Sequence, residues 1–255
     1  MKFFKQTPSL VKGLTLFLAA LICIITFNSY GAVSQTLPRD LVTYRPAEIT
    51  RLAHSTNFGK RSEEDIYGNR VSNDLIAVIH ETVISAADTV RIFQTPHYNE
   101  SDQASYHDLI ARDGTIIHLV LIVNRAFGAG NSVFMGANGP EAVRTHPVYP
   151  ASVNNFAYHI SLETPRDGNH NGNSHSGYSQ QQYQSLALLI SRKGIPANRI
   201  TTHKAVDRSA SRKDPRSFNN QYFARLMNLY SQLDPAIFSM PAVDKTVVPR
   251  PRQSV

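Results

Sequence analysis

The sequence predicts an α/β fold, a single domain with a central mixed β-sheet flanked by helices. Three observations predict it. One run, "DLIAVIHET", is apolar on both faces, as a strand in the middle of a covered sheet must be, and "NNFAYHISLET" is another strand candidate. "SYHDLIARDGTIIHLV" alternates on either side of a turn, as a β-hairpin does. Segments with apolar residues at helical spacing separate these runs, and the resulting order (strand, helix, hairpin, strand, helix, short strand, helix) implies helices packed on a mixed sheet.

The elements follow in chain order. "DLIAVIHET" sets Ile76, Val78 and His80 on one side and Ala77 and Ile79 on the other, so polar chemistry begins where the strand ends, at His80. "SAADTVRIFQ" continues with Ser85 as an N-cap, Asp88 in the first turn, and Ala86, Val90 and Phe93 as an apolar stripe. The hairpin turns at Asp113-Gly114, where glycine tolerates positive φ, and places Tyr106, Asp108 and Ile110 on one face. "NNFAYHISLET" ends at Glu163 and gives way to the polar loop "PRDGNHNGNSHSGY". In "SQQQYQSLALLISRKG", Ser179 and Gln182 form a capping box, Tyr183, Leu186, Ala187 and Ile190 one stripe, and Gly194 the stop. "RITTH" supplies a short strand ending at His203, and Asn219 to Tyr230 a last helix with Tyr222, Leu226 and Leu229 facing inward. There is no internal repeat.

Residues 1–34 read as a secretory signal peptide. Lys2, Lys5 and Lys12 accompany an apolar run from Gly13 to Phe27, too short for a comfortable membrane span, and small residues follow. Cleavage after Gly31 and after Ser34 fit equally, and an uncleaved N-terminal anchor is the alternative. Residues 35–69 read as an N-terminal extension of loop or short helix, 70–232 as the domain, and 233–255, with "VPRPRQSV", as a disordered tail. The expectation is a secreted or periplasmic monomer with no stable membrane association after signal cleavage.

Cys23 is the sole cysteine and lies inside the apolar run, without the small residues before it that lipid attachment would want. It leaves with the signal, which excludes disulfides and thiolate chemistry and leaves His, Asp and Glu as metal donors. The formal charge of +7 falls to +4 once the three lysines of the first segment are discounted. That mild excess suits an anionic polymer such as a cell wall, and a plain solvated surface equally well. A nucleic-acid role is disfavoured, since the chain is exported and its basic residues are scattered rather than striped along one helix.

"RITTHKAVDRSASRKDPRSF" puts His203 eleven residues ahead of Asp214, among basic side chains. Two imidazoles, His80 and His203, at the ends of two strands, with the Asp214 carboxylate in the following loop, would meet the need of a catalytic zinc for three protein ligands and an open fourth position. With ten histidines and no short motif such as HExxH, the spacing also admits a strand-capping His80, an ordinary loop His203 and a turn at Asp214-Pro215.

"IHET", "SYHDLIARDGTIIHLV", "NNFAYHISLE" and "ITTHKAVDRSASRKDP", in that order over about residues 70 to 230, resemble the zinc-dependent N-acetylmuramoyl-L-alanine amidases of the type 2 family, whose pattern peptidoglycan recognition proteins and phage lysozyme-type amidases share. The resemblance implies Zn2+ on His80, His203 and Asp214. It further implies hydrolysis of the amide between the lactyl group of N-acetylmuramic acid and L-alanine, in peptidoglycan or muropeptides. It sets Tyr106 beside the metal and a basic partner at Arg212, with Lys213 displaced by one position. The general base of one branch falls on Ser161, and Glu163, two residues on and on the same strand face, could substitute. "NRAFGAGNSVFMG" resembles the family's loop near the substrate groove, with Gly128 where a histidine is common. His107 and His159 are expected to be packed rather than ligating, and His170 and His175 to be in solvent. A wall-binding module that does not cut, and a zinc peptidase acting within the stem peptide, are the competing functions.

Overall fold

The structure, a computed structural model, describes residues 43–233. The expected signal peptide, and all of the expected tail but Leu233, lie outside the described residues. The strands are β1 (Glu48–Thr50), β2 (Phe58–Lys60), β3 (Ile76–Glu81), β4 (Asp108–Ile110), β5 (Ile116–His118), β6 (Asn124–Ala126), β7 (Phe134–Gly136), β8 (Gly139–Glu141), β9 (Ala157–Leu162) and β10 (Ile200–Thr202). The helices are α1 (Ala86–Gln94), α2 (Gln180–Arg192), the single turn α3 (His203–Val206) and α4 (Asn220–Tyr230).

Six strands form the main sheet in the order β1-β5-β4-β9-β3-β10. Only the β4/β5 hairpin is antiparallel in it, so the sheet is mixed, as expected. All six residues of β3 and all six of β9 are buried, which explains why neither run shows an alternating pattern. Burying each large aliphatic side chain here, Ile76 or Ile160 for example, contributes roughly 1.5–3 kcal/mol. The hairpin closes through Ala111 N–H to the Thr115 carbonyl and Gly114 N–H to the Ala111 carbonyl, with Gly114 at φ 88°.

The helix caps follow the sequence. The Ser85 hydroxyl accepts from the Asp88 N–H, and Ser179 with Gln182 completes the capping box. Two stripes differ in detail. On α1 the buried positions are Ala86, Thr89 and Phe93, with Val90 half-buried. On α4 they are Phe223, Leu226 and Tyr230. Asn219 caps that helix, and Tyr222 and Leu229 lie on its half-buried flanks.

Residues 43–69 are more than the expected loop or short helix. They contribute β1, which pairs parallel with β5 at the sheet edge, and β2, which pairs antiparallel with β6. Their composition hid this, because three-residue strands are too short to show a period. A polar network ties the edge down: Arg192 of α2 donates to Glu48, and His118 lies between Glu48 and Asp108.

The fold points its parallel strand ends one way. β3, β9 and β10 run side by side, with His80 level with Ser161, and Thr202 capping the short helix that begins at His203. A polar site assembled at such ends is where open α/β sheets place their chemistry.

Candidate metal centre

His80, penultimate in β3, is wholly buried. Its ring centroid lies 4.7 Å from that of Tyr106, 4.6 Å from that of His203 and 5.1 Å from that of His159. His80 Nε2 is 2.9 Å from His159 Nδ1, while His80 Nδ1 has no hydrogen-bond partner and faces Asp214 Oδ2 at 3.4 Å. His203 Nδ1 lies 3.0 Å from that same oxygen. Each of the three residues thus offers a ligand atom, and these atoms lie within 4.8 Å of one another. Among the described residues no other three His, Cys, Asp or Glu side chains converge in this way.

The backbone fixes Asp214, the third candidate donor. Lys204 N–H donates to the Asp214 carbonyl, and the intervening turn is wound on the Asp207 carboxylate, which accepts from the N–H groups of Ser209, Ser211 and Arg212. Burial, reinforced by the neighbouring His203, lowers the pKa of His80 to about 4, against the pull of Asp214. Asp214 is held well below the ordinary carboxylate range: burial acts upward, and the bond to His203 with the adjacent His80 imidazole outweighs it. At neutral pH the cluster therefore presents a neutral His80 imidazole and an anionic carboxylate. An unpartnered buried ring nitrogen, a second imidazole and a carboxylate oxygen form a donor set that fits zinc.

The resemblance set Tyr106 beside the metal, and its ring does lie against His80. Its phenol is half-buried, and burial, with the Asp214 charge adding, pushes its pKa well above the ordinary value, so it is an O–H donor at any working pH. Tyr106, His203 and Arg212 line one cleft of about 500 Å³, together with Arg125, Phe127 and Gly128. Lys213 does not line that cleft, because its ammonium donates to the Asn171 carbonyl at 2.9 Å in the neighbouring loop.

Glu163 is not brought into the cluster. One carboxylate oxygen accepts from Ala86 N–H at the start of α1 and from the Arg112 guanidinium, and the other accepts from Arg112 N–H. Strand alternation put it on the face of Ser161, but β9 ends at Leu162 and the chain turns there, so the carboxylate fastens the hairpin to a helix start. Ser161 itself is wholly buried, level with His80.

His107 and His159 are packed, as expected, at 1% and 0% exposure. Burial and the surrounding imidazoles hold His159 well below its ordinary pKa. Gly128 lies against it: a Cβ at that position would come within 2.6 Å of the His159 Cγ and Nδ1 atoms. His175 departs from the expectation of a solvent histidine, since its side chain is wholly buried and bonded to Glu81. Glu81 and its partner Arg216 were missed by the sequence reading. The available signal was a carboxylate directly after His80 in an apolar strand, which burial obliges to find a cation.

A model of the N-acetylmuramoyl-L-alanine amidase family matches residues 73–217. No curated protein sequence matches the chain. Among solved structures, a selenomethionine derivative of AmpD is 24% identical with a TM-score of 0.49, covering 73% of this chain and 97% of that one. The endolysin amidase LysCS from Clostridium intestinale is 16% identical with a TM-score of 0.42, covering 72% and 97%. AmpDh3 from Pseudomonas aeruginosa, in complex with an anhydromuramic pentapeptide, is 20% identical with a TM-score of 0.39, covering 64% and 58%.

Proposed function

The chain belongs to the N-acetylmuramoyl-L-alanine amidase family, and from that premise we propose that it is a secreted, zinc-dependent hydrolase. Its reaction is cleavage of the amide between the lactyl group of N-acetylmuramic acid and L-alanine, in peptidoglycan or in soluble muropeptides. The observation that carries the zinc reading is the convergence of His80, His203 and Asp214, with ligand atoms within 4.8 Å of one another, beside an open cleft.

Zinc supplies Lewis-acid polarisation of a carbonyl and a water acidic enough to attack near neutral pH. His80, His203 and Asp214 would hold it, with His203 also lining the cleft. Tyr106, a neutral phenol against His80, donates its O–H to the carbonyl oxygen as that oxygen becomes anionic. Arg212 brings a guanidinium to the cleft, where it attracts the stem peptide's carboxylates and donates to the oxyanion.

Export is read from the N-terminal segment with Lys2, Lys5, Lys12 and the apolar run after them, and it would deliver the enzyme to the periplasm or beyond, where peptidoglycan lies. No helix among the described residues is long and apolar enough to cross a membrane. We take the mature enzyme to be a monomer, free of the membrane once the signal is removed.

The test is mass spectrometry of muropeptides incubated with mature protein, with and without zinc, for wild type, His80→Ala and Asp214→Ala. Zinc-dependent release of stem peptide beginning at L-alanine, lost in both variants, is the expected result. Intact substrate at full zinc occupancy would make the protein a recognition module, and products cut between amino acids would make it a peptidase.

A further inference from the structure

The cluster contains a third imidazole that neither the metal ligands nor the cleft accounts for. His159 sits in the interior of β9, is wholly buried, and places Nδ1 2.9 Å from His80 Nε2. Its own Nε2 has no partner. The loop over it carries glycine at position 128, where a Cβ would stand 2.6 Å from the ring, so the backbone lies directly on the imidazole and fixes it in place. Behind it, the His159 backbone N–H donates to His107 Nδ1 at 2.9 Å. That nitrogen must therefore be bare, and the His107 proton sits on Nε2, which meets the Asn124 carbonyl at 3.2 Å.

The remaining question is which ring holds the single proton between His80 Nε2 and His159 Nδ1. If His159 held it, the proton of neutral His80 would sit on Nδ1, the atom that faces Asp214 and is needed as a metal donor. With the proton on His80 Nε2, donated to His159 Nδ1, His80 Nδ1 presents a lone pair to the ligand cluster. We propose that His159 is a positioning residue, the neutral acceptor that fixes the tautomer and ring orientation of His80 for zinc. Histidine ligands are commonly oriented by a carboxylate, carbonyl or water. An imidazole does the same here without adding negative charge, so the charge on the centre is that of the metal and one carboxylate. The inference rests on the zinc reading above.

Zinc dissociation constants, measured by competition with a chelator, test it in wild type, His159→Leu and His159→Asn. Thermal unfolding of the metal-free proteins establishes that each is folded. Leucine fills similar space without an acceptor, whereas the asparagine Oδ1 lies the same number of bonds from Cα as the imidazole Nδ1. His159→Leu is expected to weaken zinc about 10- to 100-fold, and His159→Asn to stay within about threefold of wild type, a rescue that packing alone would not give. Equal affinity for His159→Leu and wild type, or an asparagine variant as weak as the leucine one, overturns the proposal. Long-range proton–nitrogen correlation spectra of the zinc-loaded wild type need no variant: protons on Nε2 of both His80 and His159 are expected, and a proton on His159 Nδ1 overturns it. A wild type that takes up no zinc removes the metal reading and this one with it. Zinc uptake without muropeptide cleavage removes the amidase reading alone.

Discussion

Arg216 donates to Glu81 where neither side chain is more than 3% exposed, and the pair joins the residue after His80 to the residue two places beyond Asp214. The other Glu81 oxygen accepts from His175 Nε2 at 2.9 Å and from the Tyr178 hydroxyl at 2.8 Å. Gly177 N–H donates to His175 Nδ1, so the proton of that ring is on Nε2, where the bond to Glu81 needs it. The rest of the Arg216 guanidinium donates to the carbonyls of Gly168, His170 and Gly172. One buried arginine thus anchors the strand of His80, the loop of Asp214, and the Gly- and Asn-rich loop between β9 and α2.

Arg216→Met should cost about 3–5 kcal/mol in denaturant unfolding, because it strands the Glu81 carboxylate in a dry site. Adding Glu81→Gln to it should recover part of that loss, since the stranded charge is then gone. Zinc affinity should fall with Arg216→Met, because the Asp214 loop loses its tether. A cost below about 1 kcal/mol would mean that the guanidinium is replaceable by water and the clamp is incidental.

Glu163→Gln tests the removal of Glu163 from the chemistry. Its carboxylate is occupied by Ala86 N–H, Arg112 N–H and the Arg112 guanidinium. The substitution should lower unfolding stability by about 1–2 kcal/mol through weakened charge-assisted bonds. Muropeptide cleavage should stay within about twofold of wild type in kcat/KM. A drop of a hundredfold in kcat with unchanged stability would return Glu163 to the role of general base.

These two side chains show where sequence reading succeeds and where it stops. The strands β3 and β9, the Ser85 and Ser179 caps and the Asp113-Gly114 turn were legible because each depends on neighbours within a few residues. The three candidate metal donors were named through motif order, and their side chains converge. The partners of Glu163 were not legible, because alternation assigns a face but not the point at which the chain leaves the sheet. Arg216 went unseen among the basic residues around it, since nothing in a sequence distinguishes a cation that folds inward onto Glu81 from one that stays in water. His159 was read as packed, correctly, but its bond to His80 depends on the β3/β9 register, which sets Ile79 beside Ile160 and brings two rings together across strands.

Arg212 and Lys213 are adjacent in sequence and separate in space, which gives a paired test. Arg212 lines the cleft with Tyr106 and His203, whereas Lys213 donates to the Asn171 carbonyl on an exposed surface. Arg212→Ala should lower kcat/KM on the order of 10- to 100-fold by removing a cation from the cleft. Lys213→Ala should leave it within about twofold. Equal losses in both would mean that general basic charge, and not a placed guanidinium, serves the substrate.

His118, outside the candidate metal cluster, supplies a pH dependence of its own. Both of its ring nitrogens face carboxylate oxygens, Nδ1 at 2.6 Å from Asp108 and Nε2 at 3.1 Å from Glu48, and since carboxylates only accept, both nitrogens must carry protons. The bond to Asp108 first, and that to Glu48 second, raise its pKa to about 9. A histidine raised above its unfolded value of about 6.5 gives stability that is fully present below pH 6.5 and lost as pH climbs through 9. With 35% of the ring in water, the net effect is discounted to roughly 1 kcal/mol, or about 2–4 °C in Tm for a domain of this size. In chelator, so that zinc binding does not intrude, the Tm gap between wild type and His118→Gln should be widest near pH 6 and should close by pH 10. A gap that stays constant across that range would mean that His118 is neutral and holds β1 to the sheet by packing alone.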